Sequence, residues 1–250
     1  MSAKYAIISE QGRRSHMEDE YFFDQNFDNL GQIFGGIYDG HCGGIASKYV
    51  ASNLHRIFLE FIQSGFTPRE AFIQSYQKIS AELARQDSGA CVVNFLIKDG
   101  LIFFANVGDA RIIIIGKDNF KQLTVDHRLD NEAERKRIVE MGGKIEHPHS
   151  PYVYRGSRGL MPTRTLGDEY FKPIGIIATP DVGVYEISDQ DVFLIAACDG
   201  LFDVMSNKEI VEFSRRFNKP ENLVEALKNE VLMKRMGHDN LTMMILSLAD

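Results

Sequence analysis

Asp39-Gly40-His41 puts a carboxylate, a glycine and an imidazole within three residues, at the close of the apolar run Gly35-Gly36-Ile37-Tyr38. A carboxylate at the end of a buried strand is costly unless its desolvation is offset, and a metal ion is a common way to do so. The imidazole can give or take a proton near neutral pH. Asp-Gly between apolar runs is also the signature of a hairpin turn. Lys98-Asp99-Gly100-Leu101, with strand-like residues on both sides, reads as such a hairpin. After His41 the chain continues instead through two glycines into a helical pattern. An acid at the edge of an apolar strand recurs three more times. Gly108-Asp109 follows Leu101 to Val107, Asp199-Gly200 follows Val192 to Cys198, and Asp239-Asn240 precedes Leu241 to Leu248. Glu18 and Asp19 add two acids near the start, just after Arg13-Arg14. Each acid alone reads as a turn or a solvated loop. Together they describe one site lined by carboxylates from strands distant in sequence. Oxygen-only donors of this kind suit Mg²⁺ or Mn²⁺ better than Zn²⁺. No convincing zinc pattern competes: His147 and His149 alternate, but in a proline-rich stretch that reads as a surface loop.

The elements that must position these residues follow from periodicity. Tyr5 to Ser9, Tyr21 to Phe23 and Ile33 to Tyr38 read as strands. Ala46, Tyr49, Val50, Leu54, Ile57, Phe58, Phe61 and Ile62 make one helical stripe. Thr67-Pro68-Arg69-Glu70 opens a second helix with a capping box and a proline at its first position. Cys91 to Ile97 and Leu101 to Val107 flank the hairpin, and Ile112 to Ile115 is a fully apolar strand. A helix capped near Asp130 carries Glu132 and Glu134 in its first turn, where acids suit the helix dipole. Gly142-Gly143 stops it, and Arg135-Lys136-Arg137 are expected on its wet face. Residues 144–162, with Pro148, Pro151 and Pro162, are expected to be irregular. Ser206 to Glu209 is a second capping box, and Pro220 starts a further helix to about Leu232. Helices in pairs between blocks of strands argue against a doubly wound parallel sheet. They indicate an α+β sandwich with antiparallel sheets inside and helix pairs outside.

The 250 residues contain no interdomain linker, repeat or low-complexity segment, so one domain over 1–250 is expected. Apolar residues make up 44% and charged residues 25%, enough for a core and unlike a disordered chain. A net charge of −7 argues against a nucleic-acid footprint. It does not argue against an anionic substrate, because bound cations invert the local field. Cys42, Cys91 and Cys198 form no CxxC and are expected as reduced thiols of an intracellular protein. The start, Met1-Ser2-Ala3-Lys4, has no signal core and no myristoylation glycine. No window reaches transmembrane length. A protein of the cytoplasm, or of the nucleus, with no membrane partner is expected.

Six ordered runs then become specific: Arg14-Ser15-His16-Met17-Glu18-Asp19, Asp39-Gly40-His41, Gly108-Asp109-Ala110-Arg111, Arg164-Thr165-Leu166-Gly167-Asp168, Ala197 to Val204, and Asp239-Asn240. The series resembles the metal-dependent serine/threonine protein phosphatases of type 2C, the PPM family. The match covers about residue 5 to the C-terminus, which looks like a bare catalytic domain. The resemblance implies a four-layer α-β-β-α sandwich with two central antiparallel sheets. It implies two Mg²⁺ or Mn²⁺ ions bridged by Asp39, with the Gly40 carbonyl also binding metal. Asp199 and Asp239 would complete the second ion, and Glu18 would act mainly through bound water. Asp109, sharing Asp199, would hold a third, weaker ion. Arg14 is similar to the arginine that grips the substrate phosphate, His41 to the general acid and Asp19 to a supporting acid. Asn240 stands beside Asp239 in the same motif and is taken as supporting. The implied substrates are phosphorylated proteins, hydrolysed by water without a covalent intermediate, with the chain acting as a monomer.

The sequence departs from the family pattern at Cys42, which usually is glycine or alanine, and at Phe202, which commonly is tryptophan. Ala90-Cys91 after Ser88-Gly89 replaces small hydroxyl residues, and the stretch Glu146 to Leu160 is its own. None of these removes a proposed ligand. Two other functions use the same residues: a catalytically inactive binding module on the same fold, and a metal-dependent hydrolase of small phosphate monoesters. Asp39, Asp199 and Asp239 are all present, which disfavours the first.

Overall fold

The computed structural model describes residues 4–147, 149 and 151–249. The readings made at Met1-Ser2-Ala3 and at Pro148 lie outside the described residues. In chain order the structure runs β1 (Tyr5–Glu10), β2 (Glu20–Phe27), β3 (Gln32–His41), α1 (Ile45–Gln63), α2 (Pro68–Glu82), β4 (Gly89–Lys98), β5 (Leu101–Val107), β6 (Arg111–Gly116) and β7 (Phe120–Gln122). There follow α3 (Glu132–Glu140), β8 (Val153–Arg155), β9 (Arg158–Leu160), β10 (Leu166–Gly167), a 3₁₀ turn at Glu169–Ile174, β11 (Asp181–Glu186) and β12 (Asp191–Ala197). The chain closes with α4 (Asp199–Phe202), α5 (Asn207–Ser214), α6 (Pro220–Asn229), a π turn at Glu230–Lys234 and β13 (Leu241–Ser247).

One antiparallel sheet has the order β1-β13-β12-β6-β7, and the other has β11-β5-β4-β3-β2 with β10 beside β4. Side chains alternate across each strand, and the alternation sorts the core into three layers. On β3 and β4, Phe34, Tyr38, Val92 and Leu96 face α1 and α2. Ile37, Cys91, Val93 and Phe95 face the other sheet. On β12 and β13, Ile195, Ala197, Met243 and Ile245 face α4 to α6. Leu194, Ala196, Met244 and Leu246 complete the layer between the sheets. Stacked as helix, sheet, sheet and helix, the elements form the expected four-layer sandwich. The phenylalanines Phe34, Phe58 and Phe72 are fully buried, and each such side chain contributes roughly 1.5–3 kcal/mol.

Both capping boxes form: Thr67 with Glu70, and Ser206 with Glu209. The Asp99-Gly100 hairpin forms with both residues at positive φ, 51° and 73°, the signature of a type I′ turn. Several expectations need correction. Asp39 does not end its strand, because β3 continues to His41 in register with Gly89. The cap of α3 is Asn131, whose side chain accepts from Ala133 and Glu134 N–H groups; it takes the place assigned to Asp130. Arg137 is not on a wet face but bonds Glu134 and the carbonyls of Thr163 and Gly175. Residues 144–162 are not wholly irregular, since Val153–Arg155 and Arg158–Leu160 pair as a hairpin. His147 and His149 are exposed. Among the described residues no helix is long and apolar enough to cross a membrane.

Candidate active site

Parity places the acids. Asp39 shares a face with Ile37 on β3, the face turned toward the other sheet. The same end of the sandwich receives the end of β5, the start of β6, the end of β12 and the start of β13. Asp109 lies two residues past β5, Asp199 opens α4 directly after β12, and Asp239 sits two residues before β13. Four elements distant in sequence thus deliver acids to one end of the interlayer. Arg14, Asp39, His41, Asp109, Asp199 and Asp239 line one cleft of about 200 Å³.

Donor atoms of Asp39, Asp109 and Asp199 lie within 4.8 Å of one another, and so do those of Asp19, Asp39 and Cys198. Asp39 belongs to both groups. Its carboxyl is pushed well above the usual carboxylate range by burial and by the neighbouring Asp199, Asp19, Asp109 and Asp239. Burial and the nearby Asp109, Asp203 and Asp239 do the same to Asp199. Burial pushes Asp19 up to about 6, and its Oδ2 is buried with no hydrogen-bond partner among the described residues. An orphaned buried oxygen beside crowded carboxylates is what a bound cation would satisfy. Burial also raises the Cys198 thiol well above its ordinary range. That thiol donates to the Asn240 carbonyl and accepts from Thr242 N–H. A protonated thiol among carboxylates is a poor donor for soft metals, so the set fits a hard divalent cation.

Glu18 and Asp239 stand outside these two clusters. Glu18 Oε1 accepts from Gly43 N–H at 2.5 Å, and its carbonyl accepts from Ser47 Oγ at 2.5 Å. Gly40 is pressed against that pair: a Cβ there would meet the Glu18 carbonyl at 2.3 Å, so only glycine fits. Asp239 Oδ2 accepts from Arg14 at 2.5 Å, with Arg14 more than half exposed. Asn240 is a staple. Its Oδ1 accepts from Glu18 N–H, and its Nδ2 donates to the carbonyls of Gln11 and His16. It fixes the loop bearing Arg14, Glu18 and Asp19 to the start of β13.

His41 Nε2 lies 2.7 Å from Asp168 Oδ2, and the Asp168 side chain is fully buried. Burial works against a charged imidazole here. The Asp168 carboxylate, with Asp109 and Glu18 nearby, outweighs it and raises His41 above its ordinary value. A Cβ on Gly89 would meet Asp168 Oδ2 at 1.9 Å and His41 Nε2 at 2.4 Å. The hydrogen bond therefore passes over the one residue on β4 that can leave room for it.

Three functional residues carried no role in the sequence reading. Asp168 stood within a quoted run but had no assigned partner. Arg128 read only as the approach to α3. Its Nε donates to Asp109 at 2.7 Å, Nη1 to Asp203 at 2.8 Å and Nη2 to Asp199 at 3.1 Å. Asp203 followed Asp199 in a quoted run with no role assigned. A fork of donors reaching three carboxylates is legible only once the fold brings them together. The hairpin β8–β9 borders the cleft through Gly159 and Leu160, with Tyr152 just before it. Its Arg155 and Arg158 stack on the Tyr170 ring.

The sequence pattern of the protein phosphatase 2C family matches residues 3–239. Among curated relatives, probable protein phosphatase 2C 2 of Arabidopsis thaliana is 35% identical over 223 residues, covering 86% of this chain and 58% of that protein. Probable protein phosphatase 2C 45 of Oryza sativa subsp. japonica is 31% identical over 249 residues, covering 96% and 86%. The chain also spans only 53% of probable protein phosphatase 2C 14 of Arabidopsis thaliana, at 30% identity over 90% of this chain. In fold it is similar to the crystal structure of serine-threonine phosphatase 2C from Toxoplasma gondii, with TM-score 0.84, 24% identity, and 98% of this chain and 95% of that chain covered. With a family match over nearly its whole length, the chain belongs to the protein phosphatase 2C family.

Proposed function

We propose that this chain hydrolyses phosphoserine and phosphothreonine in phosphorylated proteins, using two Mg²⁺ or Mn²⁺ ions and no covalent intermediate. The whole of residues 1–250 acts as one catalytic domain. The observation that carries this reading is a single cleft holding clustered carboxylates, an arginine fork and a carboxylate-held histidine. Asp39, Asp199 and Asp239, with Asp19 and the Gly40 carbonyl, would hold the ions, and Glu18 would act through water. When bound, the ions supply a nucleophile from water at neutral pH and neutralise charge on the phosphoryl oxygens.

The chain's own groups do the rest. Arg14, exposed and, among the described residues, paired only with Asp239, swings from that carboxylate onto the substrate phosphate, whose geometry its fork matches. His41 Nε2–H donates to Asp168, leaving Nδ1 of the imidazolium to deliver a proton to the departing serine or threonine oxygen. That alkoxide is a poor leaving group, so the proton matters. Cys91 lines the cleft, but burial pushes its thiol well above the ordinary range. This supports water, not a side chain, as the nucleophile.

The test is hydrolysis of phosphoserine and phosphothreonine peptides beside a panel of small phosphate esters, with Mn²⁺ or Mg²⁺ and again in chelator. The expected result is metal-dependent turnover of the peptides. Full activity in chelator would sink the metal mechanism, and turnover of the small esters alone would sink the protein substrate.

A further inference from the structure

We propose that Arg128 is a tethered cation that takes the place of a third metal ion, so that the guanidinium neutralises the Asp109–Asp199–Asp203 cluster. The proposal rests on the metal-dependent reading above. It concerns how many ions this particular chain holds and where.

The three carboxylates each receive a separate nitrogen of Arg128, at 2.7, 2.8 and 3.1 Å. Asp109 and Asp199 belong to the cluster whose oxygens converge within 4.8 Å, so the guanidinium sits against two of the carboxylates a cation would need. Asp109 is 2% exposed and the Arg128 side chain 22%. A guanidinium stays protonated at any ordinary pH. It cannot leave by losing its proton; it can only swing away and abandon three charge-assisted hydrogen bonds.

The backbone also presets this position. His127 N–H donates to the Gly108 carbonyl at 2.9 Å, and Gly108 N–H donates to His127 Nδ1 at 3.0 Å. This reciprocal pair locks the segment bearing Arg128 against the turn bearing Asp109. His127 Nε2 in turn lies 3.2 Å from Asp181 at the start of β11. The contrast with Arg14 is instructive. Among the described residues Arg14 is 57% exposed with one carboxylate partner, so a ligand can draw it off; Arg128 is 22% exposed with three.

The experiment counts ions on the chelator-stripped full chain by Mn²⁺ titration calorimetry and by the electron paramagnetic resonance signal of free Mn²⁺. The wild-type chain is expected to bind two ions, and Asp109→Asn to leave that number unchanged. Arg128→Ala is expected to gain a third, weaker ion, at least about tenfold tighter than any third binding in wild type, and Asp109→Asn in the same chain to remove it. A third ion on the wild-type chain that Asp109→Asn removes would overturn the proposal. So would an Arg128→Ala chain, folded by circular dichroism, that gains none. If Arg128→Ala does not fold, Arg128→Gln replaces it, and the comparison of wild type with Asp109→Asn decides independently. Failure of the metal reading looks different: the wild-type chain would then bind no Mn²⁺ that Asp39→Asn removes.

Discussion

A proton donor for a poor leaving group has to carry its proton and be held in place; in the role proposed for His41, Asp168 holds the ring and raises its pKa above the ordinary value. His41→Ala should slow hydrolysis of a serine phosphopeptide by ~10²–10⁴-fold. It should slow p-nitrophenyl phosphate much less, because that group leaves as a stabilised anion. Asp168→Asn should show the same selectivity at smaller size, since it removes the hold on the ring and leaves the ring itself. If His41→Ala cost both substrates equally at saturating metal, the acid role would go to another group. The carboxylates predict a different pattern. Asp199→Asn and Asp239→Asn keep side-chain shape and remove ligand charge, so turnover of both substrates should be lost with the fold intact by circular dichroism. Near wild-type rates at saturating Mn²⁺ in either variant would remove that residue from the ion-binding set. The acids were legible in the sequence because an acid recurs at the edge of four separate apolar runs, although each alone reads as a turn. Asp168 and Arg128 were not, because their meaning lies in partners up to 127 positions away.

At the scale of elements, Glu134 shows what local reading misses. As an acid in the first turn of α3 it suits the helix dipole, which is how the sequence presents it. In the structure it is buried and accepts from Arg137, from Arg164 and from Thr163 Oγ1. It ties α3 to the segment that leads through β10 into Asp168. Burial opposes its charge, yet the bonds from Arg137, Arg164 and Thr163 outweigh burial and hold the carboxyl down at about 2. Glu134→Gln breaks this hub and should cost about 3 kcal/mol at neutral pH, as loss of one partner of a buried ion pair does. The sign with pH follows from the depressed value. The stabilisation is fully present above the ordinary glutamate value of 4.5 and is lost as pH falls toward about 2. Urea unfolding of both chains should therefore show a constant gap at neutral pH that closes between those limits. A gap independent of pH would mean that Glu134 acts by packing alone. Elements with strong local signals, such as the Thr67–Glu70 and Ser206–Glu209 boxes, were legible to the residue. The β8–β9 hairpin was not: two three-residue strands among prolines and glycines have no alternation to read.

For the molecule as a whole, the pairing of helices between strand blocks disclosed the layers, but not which strands are neighbours. Tyr5 pairs with Leu246 across nearly the whole chain, and no local pattern encodes such a contact. The sandwich that results carries a cost at one end. It drives Asp39, Asp109 and Asp199 together between two sheets, and burial with mutual repulsion raises Asp39 and Asp199 far above their ordinary range. Arg128 compensates Asp109 and Asp199, but without a metal ion Asp39 beside Asp19 still opposes folding; with one the site should support it, because an ion that binds only the folded chain stabilises by mass action. At a hundredfold excess over Kd, Mn²⁺ should add about 2.7 kcal/mol. For a chain of this size that corresponds to a rise in Tm of roughly 5–11 °C. Asp39→Asn removes one of the crowded charges and also the residue common to both clusters. In chelator it should melt above the wild-type chain, by about 2–4 °C if the relief is near 1 kcal/mol, and Mn²⁺ should scarcely move it. The crossing of the two chains, variant more stable without metal and wild type more stable with it, is the signature of a site that trades stability for ion binding. A wild-type chain that melts higher than Asp39→Asn in chelator, and gains no more from Mn²⁺ than the variant does, would show that the cluster is satisfied by the protein alone.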